Sequence, residues 1–349
     1  MGQSLNVPWP IAGERLQGGT EREPEHRLAE GGRGGQCAKT LSICILTFNR
    51  LETLKETLAS IVPQLGNDDR AEIVICDNAS TDGTNISAPE YTRVPLGVRY
   101  HRNQENLGFD GNVVSAVNQA QGEYVAFFSD DDVALPGTYQ YVLEEIRTKR
   151  PAVVYLNHYP FRNNDPCLSD ALKLPAVDIE FTNGKEFFLF AGLGFISSLI
   201  VRTDHARHYL AHVRRGQGYA HLDIAARVCL FEQGPFLYLG TKPVAARIPT
   251  RQVYDWLTGC GIAEAQFYHN LEAEGVLDPA SVRRRAEPTI RDHLVGLVLL
   301  KKCLGDYRHL DCQRGLCVST RMAGTSPFGC WSIQSWLSQG SYSSDLMSL

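Results

Sequence analysis

From Leu41 onward the chain alternates short apolar runs with amphipathic stretches. LSICIL (Leu41 to Leu46) is an unbroken run of the β type, and Leu51, Leu54, Leu58, Ile61 and Val62 then recur at helical spacing as far as Pro63. This predicts strand, short loop, helix. EIVICD (Glu72 to Asp77) is a second strand, closed by NASTDGT, whose Asn, Ser, Asp and Gly residues favour turns and helix starts. Gly97 to His101 reads as a third strand, and Gly108 to Gln121 as a helix with Val113, Val114 and Val117 on one side. YVAFF (Tyr124 to Phe128) is a strand that runs into Asp130, Asp131 and Asp132. A helix over Gly137 to Arg147 and a strand over Ala152 to Asn157 continue the pattern. Past Arg162 the signal thins to a strand at Phe195 to Arg202 and helices at Leu222 to Phe231 and Ile290 to Cys303. Strands alternating with helices indicate an α/β fold with a mostly parallel sheet.

The ends differ in character. Ala12 to Gln36 is rich in Gly and charge and too poor in apolar residues to offset its ordering entropy, so residues 1–39 are expected to form a flexible tail. Residues 306–349 show no periodicity and end in serines, which predicts an irregular or disordered tail after a helical region at 256–305. The N-terminus has no apolar core of a signal peptide, and no run reaches the roughly 18 apolar residues of a membrane span. Cys44, Cys76 and Cys229 lie in apolar runs and the ten cysteines contain no Cys-x-x-Cys pair, which points to a reducing, cytoplasmic setting. Any membrane contact is then peripheral, at the inner face of the cytoplasmic membrane. The 34 basic and 39 acidic residues leave a net charge of −5, which argues against nucleic acid as a partner.

Acids just past a strand's C-terminal end sit where open α/β sheets bind ligands. Three adjacent carboxylates repel one another unless a cation neutralises them, and a hard divalent ion suits oxygen ligands. A solvated helix start is the alternative. Asp77 closes the preceding strand, at the crevice rather than in the core, and the Thr47-Phe48-Asn49-Arg50 loop closes the first. Three polar strand ends then contribute to one crevice suited to a nucleotide.

LSICILTFNRLETLKETLASI, EIVICDNASTDGT and NLGFDGNVVSAVNQAQGEYVAFFSDDDVALPG together resemble the nucleotide-sugar half of inverting family 2 glycosyltransferases of the GT-A fold, in the branch of the abequosyltransferases. The likeness covers about residues 40–136 strongly and about 194–247 weakly. It implies a nucleotide-sugar-binding half at 40–136 and an acceptor-side half of the same domain at 137–255. It also implies transfer of a sugar from a nucleotide-activated donor to a saccharide or lipid-linked saccharide in bacterial surface polysaccharide synthesis. Thr47, Asn49, Arg50 and Asp77 would hold the nucleotide, with Asp77 accepting from the base, and Asn106, Gly108 and Asp130 would line its crevice. Asp131, helped by Asp130 or Asp132, would bind Mg²⁺ or Mn²⁺ on the diphosphate. Ser129 stands where the family's D-x-D-D pattern has its first acid.

Inverting transfer needs a base for the acceptor hydroxyl. The family's base lies six residues before an Arg, and counting back from Arg227 gives His221 where an Asp is usual, with Asp223 as the reserve. An unperturbed imidazole, with a pKa near 6.5, is competent at neutral pH. A helix-start capping role is the other reading of His221. His205, His208 and His212 fall at i, i+3 and i+7, but arginines surround them, so a basic surface outweighs a zinc site. His309, Cys312 and Cys317 are spaced too loosely for zinc. Arg247 is either a diphosphate contact or a surface arginine, and Tyr254 and Trp256 belong to an acceptor site or to the core. Two rival functions remain: a nucleotidyltransferase, although no Gly-rich phosphate loop follows the first strand, and an inactive scaffold that only binds nucleotide sugars.

Overall fold

A computed structural model describes residues 39–66, 68–92, 98–161, 166, 172–248 and 263–289. The expected tails, the helix at Ile290 to Cys303, Tyr254 and Trp256, and the His309, Cys312 and Cys317 group lie outside them. Strands β1 (Leu41–Thr47), β2 (Ala71–Asp77), β3 (Val98–Arg102) and β4 (Tyr124–Ser129) pair in parallel, in the order β3-β2-β1-β4. The sheet continues past β4 with β8 (Leu199–Arg202), β6 (Val153–Phe161), β9 (Phe236–Arg247) and β5 (Val133–Ala134), while β7 (Asp178–Phe181) also pairs with β9. The β4–β8 and β8–β6 pairs are antiparallel and β6–β9 is parallel. The sheet is mixed, with every pairing from β3 to β4 parallel, as the strand pattern predicts for the first part of the chain.

Every residue of β1 and β2 is buried, which is why both read as continuous apolar runs. Their alternate side chains divide between two layers. Leu41, Ile43 and Ile45 pack with α1 (Leu51–Leu65) and α4 (Thr138–Lys149) through Leu54, Leu58, Ile61, Val142, Leu143 and Ile146. Cys44 and Leu46 face the opposite layer, where α3 (Gly108–Gln119), α5 (Gly184–Ala191), α6 (Thr203–His208) and α7 (Ala220–Phe231) contribute Val113, Phe187, Ala206 and Leu222. Helix α8 (Ala263–Ala273) joins that layer through Phe267, Tyr268 and Leu271, followed by α9 (Pro279–Thr289) with Val282; the remaining described helix is α2 (Thr84–Thr92).

Several expectations need correction. Helix α1 passes through Pro63 and ends at Leu65, because a proline this close to the C-terminus costs one interior hydrogen bond but does not stop the last turn. FISSLIVR is not one strand: Ile196–Ser198 is a 3₁₀ turn and only Leu199–Arg202 pairs in the sheet. The three spaced histidines do not share one helical face. Helix α6 ends at His208, a separate 3₁₀ turn covers Leu210–His212, and among the described residues no group of His, Cys, Asp and Glu could hold a metal ion by itself.

Candidate active site

Parallel register puts Thr47 opposite Asp77 and Leu46 opposite Ser129, so three loops leave the sheet at one edge. The first two are stitched together. Asn49 donates its N–H to Ser80 Oγ (2.9 Å), its side-chain oxygen accepts from Thr81 N–H (2.7 Å), and the Leu51 N–H at the start of α1 donates to Asp82 (2.9 Å). Asn49 sits at φ +54°, a left-handed conformation that asparagine tolerates better than most residues. The Asn49 side chain therefore shapes the crevice through the neighbouring loop.

The third loop carries the acids, and they divide by environment. Arg50 bridges Asp130 (3.1 Å) and Asp131 (2.8 Å). Asp130 is buried, which pushes its pKa up to about 6 against the opposing Arg50 charge. Asp132 is buried too and turns inward, accepting from Ser197 Oγ (2.5 Å) and from Arg247 N–H (2.9 Å); burial raises its pKa well above the usual carboxylate range. The Asp131 side chain stays 19% exposed, held by Ser129 Oγ at 2.6 Å and by Arg50. Arg247 donates from Nε to the Asp131 carbonyl (2.8 Å), pairs with Glu56 and lies over the Phe161 ring at 4.8 Å. Arg247 thus braces the acid turn, and neither earlier reading of it is complete.

Asp77 is 0% exposed, so it does enter the core, contrary to the reading of a strand-end acid facing an open crevice. Its carboxylate accepts from Ser80 N–H (2.8 Å), Arg102 (2.8 Å) and the Tyr100 hydroxyl. Replacing it strands at least two of these donors, and each buried orphan costs about 1–3 kcal/mol. We expect Asp77→Ala to lower stability by roughly 2–4 kcal/mol, measured as a shifted urea midpoint at unchanged slope. An unshifted midpoint would mean that water replaces all three partners.

Asparagines line the loop after β3. Asn106 accepts from Asn78 Nδ2 (2.7 Å) and from Gly108 N–H (2.9 Å), and Asn103 bonds both Asn78 (3.1 Å) and Asn112 (3.0 Å). Gly108, at φ +70°, opens α3 in a conformation that side chains rarely adopt. Asp110, one turn into α3, accepts the N–H groups of Gln217 (2.8 Å), Gly218 (2.9 Å) and Ala220 (2.9 Å), and so places the start of α7.

That start carries His221, in edge contact with Phe109 at 5.5 Å between ring centroids and stacked on Tyr219 at 6.0 Å. Its Nε2 lies 3.0 Å from the Gly194 carbonyl oxygen, which can only accept, so the proton is on Nε2. Nδ1 keeps its lone pair, buried with no hydrogen-bond partner in the structure. Burial lowers the His221 pKa to about 4. Asp223 faces elsewhere: it pairs with Arg227 (3.0 Å), which reaches on to Glu274 in the turn after α8 (2.6 Å), in a small cavity also lined by Tyr219, Phe267 and Asn270. Burial raises the Asp223 pKa, opposed by Arg227.

His158 of β6, stacked on Phe195 at 4.3 Å, is also lowered to about 4 by burial. The unfolded chain takes up protons from about pH 6.5 downward that the two folded imidazoles refuse, so each imidazole contributes a loss of stability as pH falls from 6.5 towards 4, set against the opposite contribution of Asp130 and Asp132, whose raised pKa values favour the folded state as they take up protons. Between pH 7 and 4.5 this amounts to roughly 2–3 kcal/mol for each imidazole. Urea midpoints of the native chain and of His158→Phe at the two pH values test it: the stability difference between them should move by that amount in the variant's favour at pH 4.5. A difference that stays the same at both pH values would refute the assignment.

Residues 42–174 match the family model Glycosyl transferase family 2. The chain carries a family 2 glycosyltransferase domain. The match covers this edge of the sheet, with β1, β2, β4 and the acid turn. The domain is 42% identical over 93 residues to abequosyltransferase RfbV of Salmonella typhimurium, covering 26% of this chain and 28% of that protein. It is 32% identical over 106 residues to a GalNAc(5)-diNAcBac-PP-undecaprenol beta-1,3-glucosyltransferase of Campylobacter jejuni, covering 30% and 34%. The matched parts thus span about a third of the length of these relatives. In structure, the chain resembles S. aureus TarS 1-349 in complex with UDP-GlcNAc, with a TM-score of 0.59, 17% identity, and 81% of this chain and 80% of that one covered. It also resembles the mannosyltransferase PcManGT of Pyrobaculum calidifontis in complex with GDP-Man and Mn²⁺, with a TM-score of 0.54, 15% identity, and 87% and 84% covered. The glycosyltransferase domain has the GT-A fold.

Proposed function

We propose that the chain transfers a sugar from a nucleoside-diphosphate donor to a hydroxyl of a saccharide or lipid-linked saccharide, with inversion, in the synthesis of a bacterial surface polysaccharide. The observation that carries this is the acid turn. One outward carboxylate, Asp131, is bridged by Arg50 to a buried one beside two polar loops at the C-terminal edge of parallel strands. The names of the relatives, a sugar transferase and an undecaprenol-linked glucosyltransferase among them, point the same way.

The residues fit a divalent cation of one kind. With Asp130 and Asp132 buried and only the Asp131 side chain partly exposed, Asp131 is the ligand on offer, so Mg²⁺ or Mn²⁺ would take most of its coordination from diphosphate oxygens and water, as such ions do. When bound, the ion neutralises charge on the departing nucleoside diphosphate. Arg50 would leave Asp131 for the diphosphate, where its planar fork suits phosphate oxygens. Thr47, Asn49, Asp77, Asn106 and Gly108 would shape the nucleotide crevice, mostly by holding its loops. His221 Nδ1 would accept the acceptor's proton. Among the described residues no helix is long and apolar enough to cross a membrane.

A screen of nucleotide sugars with Mn²⁺ tests this reading. Release of a nucleoside diphosphate supports it, binding without release favours the scaffold, and pyrophosphate release from a nucleoside triphosphate favours the nucleotidyltransferase.

A further inference from the structure

The acid turn is closed by a residue from a distant part of the chain. Ser197, in the 3₁₀ turn before β8, is buried, and its hydroxyl makes two bonds of opposite sense. It accepts from the Ser129 N–H at 2.9 Å and donates to Asp132 Oδ2 at 2.5 Å. These are the two ends of the four-residue turn that presents Asp130 and Asp131. One hydroxyl therefore brackets the turn, while Arg247 holds it from the other side through Asp132 Oδ1 and the Asp131 carbonyl. The same segment offers the Gly194 carbonyl to His221, three residues before Ser197.

We infer that Ser197 is a positioning residue: its hydroxyl clasps the acid turn so that Asp132 stays inward and Asp131 faces the crevice, in register with the Gly194 carbonyl that orients His221. This rests on the reading of Asp131 as the cation ligand. Without the hydroxyl the Ser129 N–H loses its acceptor, and Asp132 keeps only Arg247 of these two donors. The turn can then rotate, and the cost should appear in cation and diphosphate binding.

The test is Mn²⁺ titration followed by electron paramagnetic resonance, with UDP, GDP, CDP and dTDP in turn, on the full chain. Ser197→Ala should weaken Mn²⁺ binding in the presence of the preferred diphosphate by about 5- to 10-fold, the scale of one lost hydrogen bond between buried groups. Ser197→Thr, which keeps the hydroxyl, should bind within about threefold of the native chain by the same reasoning. Ser198→Ala, a neighbour as deeply buried, should leave Mn²⁺ affinity unchanged even if its melting temperature falls. Native affinity in Ser197→Ala, or equal weakening in both alanine variants, would overturn the clasp. If the native chain itself binds no Mn²⁺ with any of the four diphosphates, the cation reading fails with it, and that failure is recognisable because it needs no variant.

Discussion

Asp131→Asn should lower turnover roughly a thousandfold, the scale of several kcal/mol of lost charge stabilisation on the leaving diphosphate. The substitution keeps the shape of the side chain and its bond from Ser129, and removes the charge. Asp131 is the most exposed acid of the turn, so the fold should tolerate it. Asp132→Asn tests the contrast, because Asp132 faces Ser197 and Arg247 rather than the crevice: its replacement should lower stability, and weaken cation binding less than Asp131→Asn does. Activity of the native chain should also vanish in excess chelator and return with Mn²⁺. Undiminished turnover in Asp131→Asn, or full activity in chelator, would remove the cation from the mechanism.

The strands that build this edge were legible because they are buried on both sides. LSICIL and EIVICD need no partner to be recognised, and their polar ends mark the crevice. Strand β9 was not legible, because Gly240, Thr241, Lys242 and Pro243 interrupt its apolar pattern while the chain continues beside β6 across an irregular register. The 3₁₀ turn inside FISSLIVR was missed for a related reason: Ser197 turns its hydroxyl to Ser129 and Asp132, a long-range bond that competes with the extended backbone. The acid turn, the Asp77 strand end and the His221 position follow from local order and from the family likeness. Their partners do not. Arg102 reaches Asp77 because β2 and β3 pair in register, and no local pattern announces a pair made across a sheet. Asp223 and Arg227 show the converse, since their i, i+4 spacing is an ordinary helical ion pair, and the structure extends it to Glu274 rather than to the acids.

His221→Ala should lower turnover by roughly two to four orders of magnitude with donor affinity nearly unchanged, the usual weight of a general base. On this reading Nδ1 is the accepting atom. Nε2–H is committed to the Gly194 carbonyl, which orients the ring and leaves Nδ1 as the lone pair, as a second hydrogen bond does for a working imidazole. Burial has a consequence that the unperturbed value conceals. With a pKa of about 4 the ring is neutral throughout the physiological range, so protonation of His221 should limit kcat/KM only on approach to pH 4 and not near 6.5. A weakly basic imidazole in a dry site can still act, because it accepts the proton as the hydroxyl attacks and need not hold it beforehand. His221→Gln keeps a donor for Gly194 and separates ring position from proton acceptance. It should fold like the native chain and be nearly as slow as the alanine variant. Asp223→Asn should reduce stability by loosening Arg227 and leave the chemical step largely intact. If instead Asp223→Asn is the slower enzyme and His221→Gln is mild, the base is Asp223, and a product of retained anomeric configuration by NMR would exclude single displacement with either residue.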